Sequence, residues 1–379
     1  MGRLKLALVA FVVIGAGAAT GLVQDVCGPF TDVSPALCPY VLEMYYLGIT
    51  AGTSPTTYSP EATVTRGQAA VFVSKGVNQA IARSSRRAAL AQWWTTKRPE
   101  AIGLTPVTGP TSVASDGVDV WVSAQVPGTV TRVRASDGRV LDTWTGLPGA
   151  NSILPAMGRI FVAGGDSGKI YAIDPAQPPG LPSIVVSDLP SSSYSLAFDG
   201  VRLWSANADS VSLLTPAPTY PWSIVTRTEG FTIPGEILYD GRYIWVTDQD
   251  AGLLKLDAEG AVIQSVPVGP EPGPLVFDGA NLWTTLLHTD AVVVVSSVDG
   301  SIRATLTGNG LNLPNDIAFD GERVMVTSFF EGVSYWRAAD LAPLGFVSTG
   351  GFGVSPLSVC SDGINFWVAF SQSNGLGRF

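Results

Sequence analysis

The chain has 379 residues, 46% of them apolar and only 14% charged, with 42 glycines, 27 prolines, three cysteines and one histidine. That length admits two domains, and the composition excludes a disordered chain in favour of many short strands joined by tight turns, while a lone histidine excludes an imidazole-rich metal centre. The net charge of −9 is uneven: residues 1–98 carry nine Lys/Arg against four Asp/Glu, and residues 99–379 thirteen against twenty-seven, so the acidic C-terminal part repels phosphate backbones and argues against a nucleic-acid partner.

Arg3 and Lys5 precede the apolar run Leu6–Ile14, and Ala16-Gly17-Ala18 supplies small residues for cleavage. Residues 1–19 therefore read as an export signal, with a secreted or cell-envelope location for the mature chain. The rival reading is an uncleaved anchor, since weakly apolar residues continue to Val23. No other segment approaches the length of a transmembrane span. Cys27 and Cys38 lie eleven residues apart, and an oxidising compartment makes them a disulfide candidate. Cys360 stands in a strand just ahead of an Asp-Gly turn and reads as a buried free thiol.

Residues 28–75 carry a second pattern. FTDV (Phe30–Val33) leads to apolar positions Tyr40, Val41, Met44, Tyr45 and Leu47, and Gly48 stands where a helix would end on a left-handed residue. GITAG (Gly48–Gly52), a polar loop, YSP (Tyr58–Pro60) and VTRGQAAVFVSK (Val64–Lys75) follow. Thr65 and Gln68 have capping-box spacing, which predicts a second helix start. In order and spacing this run resembles an S-layer homology (SLH) module, through F-x-D-V, L-x-x-x-G-I-x-x-G, Y-x-P and V-T-R-x-Q. The resemblance implies attachment to cell-wall or envelope polysaccharide, with Arg66, at the Arg of the T-R motif, contacting acidic glycan; the alternative is a solvated helix-end charge. The chain departs from the family pattern in having one module rather than three and Gln68 in place of the commoner Glu. A lone module either builds a site by oligomerising or serves only as a docking piece. Residues 76–98 read as a basic helical linker with Arg83, Arg86 and Arg87 ahead of Trp93-Trp94. Its cations suit anionic wall polymer, lipid headgroups or the acidic part of the chain itself.

Over residues 99–379 one phrase recurs. Asp-Gly pairs fall at 116, 199, 240, 278, 320 and 362, with a degenerate copy at Met157-Gly158, in steps of 41, 42, 41, 38, 42 and 42 residues. A period near forty with strand-like content predicts an all-β propeller. Each Asp-Gly marks a hairpin, and a second hairpin follows at Asp137-Gly138, Glu259-Gly260 and Asp299-Gly300. Five residues past the Asp stands Trp121, Trp204, Trp245, Trp283 or Trp367, with Phe161 and Met325 in the remaining copies, a group for packing between blades. The last copy stops at Phe379 one strand short, and GLTPVTG (Gly103–Gly109) supplies the missing strand ahead of the first copy. That gives seven four-stranded blades closed by an N-terminal strand. The phrasing P-x-x-L-x-F-D-G-x-x-L-W-V resembles NHL, YVTN and streptogramin-lyase-like (virginiamycin B lyase-like) propellers, which share a fold and not a function.

Ligands of such rings meet the loops between second and third strands and those linking blades. The former contain Asp166, Asp209, Asp248, Asp250, His288, Asp290 and Glu331, and the latter Glu236, Glu271 and Asp316. Gathered at one mouth, these carboxylates predict a negative rim suited to a divalent cation or cationic ligand, whereas their placement in turns is the plainer account of each Asp. His288 is the candidate acid–base residue. The lyase resemblance implies more than one His with Glu and magnesium. Here there is one His, and the family's W-F-T-E phrase is absent, Trp245-Val246-Thr247-Asp248 being the nearest match. GGDSGK (Gly164–Lys169) reads as a hairpin loop and not a phosphate cradle. These departures favour a non-catalytic, envelope-associated binding or scaffold protein without a resident cofactor. The alternative is a metal-dependent lyase- or lactonase-like enzyme using rim carboxylates and His288.

Overall fold

In the computed structural model, residues 27, 29–34, 37–46, 49–73, 104–350 and 355–379 are described. The expected export signal, the basic linker and the helix-ending Gly48 lie outside the described residues. The chain divides into two compact units, one within Met1–Arg83 and one within Ser84–Phe379.

In the first unit, a helix spans Cys38–Tyr46. Cys27, Phe30, Val33 and Val41 form a small buried core, with Leu42, Tyr45 and Tyr58 against it. Phe30 meets Tyr45 edge-on at 5.1 Å between ring centres. Gly52 is needed for close approach, since a Cβ there would lie 2.5 Å from the Phe30 ring. Cys27 and Cys38 are placed as a disulfide with Cα atoms 5.4 Å apart. The motif spacing has a physical cause: Asp32 of FTDV accepts the amides of Tyr58 and Ser59 of YSP at 2.8 and 2.7 Å. Those two N–H donors hold the Asp32 carboxyl below the usual carboxylate range. Residues 66–73 are helical, and both bonds of the expected capping box are present. The Thr65 amide donates to Gln68 Oε1 at 2.9 Å, and the Gln68 amide to Thr65 Oγ1 at 3.2 Å.

The second unit is an all-β ring of seven four-stranded antiparallel sheets. Blades 1–6 run, in chain order, over residues 112–145, 153–186, 193–227, 234–266, 272–307 and 314–348. Blade 7 takes its three inner strands from Pro356–Ser361, Phe366–Phe370 and Gly375–Arg378 and its outermost from Leu104–Pro106. The last pairing runs Leu104↔Gly377 to Pro106↔Gly375, so the strand expected ahead of the first copy closes the ring.

The recurring phrase is a hydrogen-bonded device as well as a turn. In blade 4, Asp240 Oδ1 accepts the amides of Arg242 and Tyr243 at 2.7 Å each, and Oδ2 accepts the indole N–H of Trp245 at 2.7 Å. The same indole bond joins Trp121 to Asp116, Trp204 to Asp199, Trp283 to Asp278 and Trp367 to Asp362 at 2.7–2.8 Å. A buried indole N–H needs an acceptor, and the turn Asp supplies it. The exceptions follow the same rule. Blade 2 has Phe161, which carries no donor, and no Asp in its turn; in blade 6 Asp320 accepts Arg323 Nε at 2.8 Å beside Met325. Gly241 has φ +93° with nothing within 4 Å of an added Cβ, so conformation and not space demands glycine there. Cations cover the outer side of three indoles, with Arg132, Lys255 and Arg378 lying 5.4, 4.9 and 5.6 Å from the rings of Trp121, Trp245 and Trp367. Cys360 is free and half-buried in the inner strand of blade 7, less buried than its sequence context suggests. Burial, with Asp362 and Asp316 beside it, pushes its thiol well above the ordinary range.

Candidate functional site

Antiparallel neighbours put the second-to-third-strand loops and the blade-linking loops at the same end of the ring. Among the described residues these connections hold eight carboxylates (Asp166, Asp188, Asp209, Glu229, Asp250, Glu271, Asp290 and Glu331) and one cation, Lys169. The face is therefore strongly negative, as its sequence implies.

The individual carboxylates are far from equivalent. Asp166 accepts Ser192 Oγ at 2.7 Å, and Asp209 accepts Ser191 Oγ at 2.7 Å, so both are pinned to the loop linking blades 2 and 3. Asp248 does not belong to the rim. It is buried at the end of its strand, and its two oxygens accept four amides, those of Thr232, Ile233, Asp250 and Ala251. That set leaves Asp248 with the role of a turn cap. Asp250 is exposed on the same turn. Among the described residues, no three His, Cys, Asp or Glu side chains group closely enough to hold a metal ion.

The face has one distinctive sector, over blades 5 and 6. His288 sits on a short 3-10 turn, Leu287–Thr289, and its Nε2 lies 2.7 Å from Glu271 Oε2. Both side chains face solvent, at 61% and 42% exposure, so the pair is available to a ligand. Asp290 Oδ1 accepts the Leu313 amide at 2.7 Å, and Glu331 Oε1 accepts Asn312 Nδ2 at 3.0 Å. Phe329 and Phe330, in the loop that carries Glu331, meet edge-on at 5.0 Å. Glu271, Asp290 and Leu313 all have left-handed backbones, with φ of 49°, 50° and 51°. Such strain in non-glycine residues persists only where surrounding contacts enforce it.

Glu236 and Asp316 depart from their expected place. They are not in blade-linking loops but in the innermost strands Pro234–Tyr239 and Pro314–Phe319, because the run after each Pro already pairs with the next strand. They stand at a repeated position, two residues past the Pro, that is Ser112 in blade 1, Pro274 in blade 5 and Ser358 in blade 7. At this position side chains stitch neighbouring blades. Ser195 Oγ accepts the Ile237 amide at 3.3 Å, Asp316 Oδ2 the Val359 amide at 2.8 Å, and Ser358 Oγ the Val113 amide at 3.2 Å. Ser195 Oγ also donates to Glu236 Oε1 at 2.5 Å. Glu236 and Asp316 keep some contact with solvent, yet the inner strands surround them and remove most bulk hydration. Desolvation pushes Glu236 up to about 8, against the Ser195 hydrogen bond and with the charge of Asp316 adding to the rise. Asp316 is raised to about 6 by desolvation, opposed by the Val359 amide and the Ser358 hydroxyl. The signal that marks both in sequence is a carboxylate at a slot that blades 1, 3 and 7 fill with Ser.

Behind that ring, the Glu236 and Asp316 amides donate to Thr247 and Thr327 Oγ1 at 2.9 and 3.0 Å. In blade 5 the corresponding residue is Pro274, which has no amide hydrogen, and Thr285 Oγ1 is left buried without a partner.

Residues 29–70 match the family model of the S-layer homology domain. No curated protein matches the chain in sequence. Among solved structures, a streptogramin B lyase superposes with TM-score 0.61 at 16% identity, over 73% of this chain and 96% of that one. A catalytically inactive virginiamycin B lyase from Staphylococcus aureus with quinupristin gives 0.62 at 15%, over 73% and 97%. The WD40 propeller domain of Doa1 gives 0.60 at 16%, over 73% and 97%. The chain thus joins an S-layer homology module, which implies association with a cell surface or envelope, to a propeller whose likeness to these structures is one of fold. No helix among the described residues is long and apolar enough to cross a membrane.

Proposed function

We propose that this is an exported, envelope-attached protein whose S-layer homology module holds cell-wall or envelope polysaccharide through Arg66. Its propeller serves as a non-catalytic platform that binds a protein or small ligand at the acidic loop face. The observation that supports this reading is the module itself, matched over residues 29–70 with its helix-start cap intact. That cap puts Arg66 exposed in the first helical turn, where a guanidinium can meet an anionic sugar substituent bidentately. Co-sedimentation of the purified chain with wall material tests it. Arg66→Ala should weaken the apparent affinity for wall material at least about tenfold, equivalent to about 1.4 kcal/mol. Equal sedimentation of wild type and variant, or none by either, would refute the assignment.

One observation favours a second reading, an enzyme of the lyase- or lactonase-like kind: the 2.7 Å contact between His288 and Glu271 on the loop face. There Glu271 would orient the imidazole as base, and Asp250, Asp290 and Glu331 are the carboxylates available to a divalent cation. Metal-dependent turnover lost in His288→Ala would establish this reading in place of the first.

A further inference from the structure

A groove of about 420 Å³ opens on the outer wall of the ring between blades 5 and 6, a volume in the range of small-molecule sites. Its apolar lining is Leu306 of the outermost strand of blade 5 with Trp336, Leu341 and Pro343 of blade 6. Small residues make room for it. Trp283 pairs with Val294 and Val294 with Ala304, where blades 1 and 4 carry Arg132 with Asp142 and Lys255 with Gln264. Leu341 stands at a turn position that Gly138, Gly260 and Gly300 hold in blades 1, 4 and 5, and like them it is left-handed, with φ +60°. That backbone is strained for a leucine, and the side chain it retains packs on the cluster around Trp336 and walls the groove. Among the described residues, six of the eight tryptophans bond their indole N–H, five to a turn Asp and Trp222 to the Ala217 carbonyl. Trp336, only 2% exposed, has no such acceptor, and its Nε1 is not sealed in as the orphaned Thr285 hydroxyl is. This donor therefore opens on the groove that its ring lines.

No side chain lining the groove is ionic, so a phosphate, carboxylate or ammonium would find no counter-charge there. A plain hydrocarbon would leave the indole N–H unmet, at the cost of a buried donor without a partner. The ligand that fits is neutral, apolar on one side and equipped with an acceptor. We propose that the groove binds an acetamido sugar, a neutral ring that carries an N-acetyl group. The N-acetyl group sets a methyl beside a carbonyl: the methyl meets Leu306, Leu341 and Pro343, and the carbonyl accepts the Trp336 N–H. Asn309, on the connection between the two blades, gives its Nδ2 to the Tyr335 carbonyl at 3.0 Å, which leaves Oδ1 to accept the acetamido N–H. Thr305 and Thr307, on the exposed rim, meet the ring hydroxyls. Arg66 and the carboxylates of the acidic loop face take no part in this site.

Saturation-transfer NMR and calorimetric titration of the full chain with chitotriose, from about 0.1 to about 20 mM, test the proposal. Cellotriose, which has the same linkage with hydroxyls in place of the acetamido groups, is the control. Chitotriose should bind saturably, with the strongest transfer at its acetamido methyls, and cellotriose at least about tenfold more weakly. Trp336→Phe keeps a ring and removes the donor, and Leu341→Gly removes a wall while restoring the residue that the turn has in three other blades; each should weaken chitotriose at least about tenfold. Thr307 is exposed, so Thr307→Arg should fill the rim and abolish binding with an unchanged melting curve. Arg66→Ala should bind chitotriose as the wild type does. No saturable signal up to about 20 mM overturns the proposal, as does equal binding of cellotriose. Binding that survives Thr307→Arg, or that is lost in Arg66→Ala, overturns it too, since the sugar would then lie elsewhere.

Discussion

Replacing Asp240 with Ala separates the two roles of the repeated phrase. The carboxylate holds three donors: the Arg242 and Tyr243 amides at 2.7 Å and the Trp245 indole N–H at 2.7 Å. The two amides lie in an exposed turn and can be rehydrated, so their loss costs about 1 kcal/mol in all. Trp245 is fully buried; its N–H would be left without an acceptor in an apolar wall, which costs about 2 kcal/mol more. The sum of about 3 kcal/mol should lower the melting temperature of a propeller this size by about 6–10 °C. Denaturant titrations of wild type, Asp240→Ala, Trp245→Phe and the double variant measure the coupling directly. Trp245→Phe removes the donor, so Asp240→Ala should cost only the turn term in that background, a coupling of about 2 kcal/mol. A coupling near zero would show that the aspartate acts through the turn alone, and the account of Asp and Trp as one unit would fail.

Thr285→Val should be neutral or stabilising by about 1 kcal/mol, because it removes a buried hydroxyl without a partner. Thr247→Val and Thr327→Val should each destabilise, since they orphan the amides of Glu236 and Asp316; equal effects at all three threonines in denaturant melts would refute the reading. Glu236 is raised to about 8 in the fold, so the folded state holds a proton that the unfolded chain gives up near the ordinary carboxylate range. Its contribution to stability is full below that range and is lost as pH rises through about 8. Glu236→Gln should accordingly flatten the loss of stability between about pH 5 and pH 8, and an unchanged slope in melts across that window would count against it. Cys27→Ser should destabilise the first unit by about 3 kcal/mol through the freed loop and leave the propeller transition in place, which differential scanning calorimetry can resolve.

Much of this architecture is legible before any coordinates. The forty-residue period, the Asp-Gly turns and the strand missing from the last copy specify seven blades and their closure through Leu104–Pro106, because turn chemistry and strand alternation are local. The cap at Thr65 and Gln68 is legible for the same reason. His288 is visible as the lone imidazole, but its partner is not. Glu271 lies seventeen residues upstream on a different connection, and only the juxtaposition of two loops brings the pair to 2.7 Å.

The rim divides along the same line. Sequence places seven candidates at the loop face by repeat position alone, and it cannot tell an available carboxylate from a consumed one. Asp248 and Asp250 stand two residues apart in one turn, yet the first caps four buried amides and the second faces solvent. Glu236 and Asp316 read as loop acids until pairing extends their strands and sets each against a neighbouring blade, Ser195 of the preceding one for Glu236 and the Val359 amide of the following one for Asp316, about forty residues away in the chain. The amino-acid sequence by itself determined the ring and its ends, since hairpins, capping and periodicity depend on near neighbours. The tertiary structure alone decided which charges remain free, because desolvation and hydrogen-bond saturation depend on groups that the chain brings together only when the blades close.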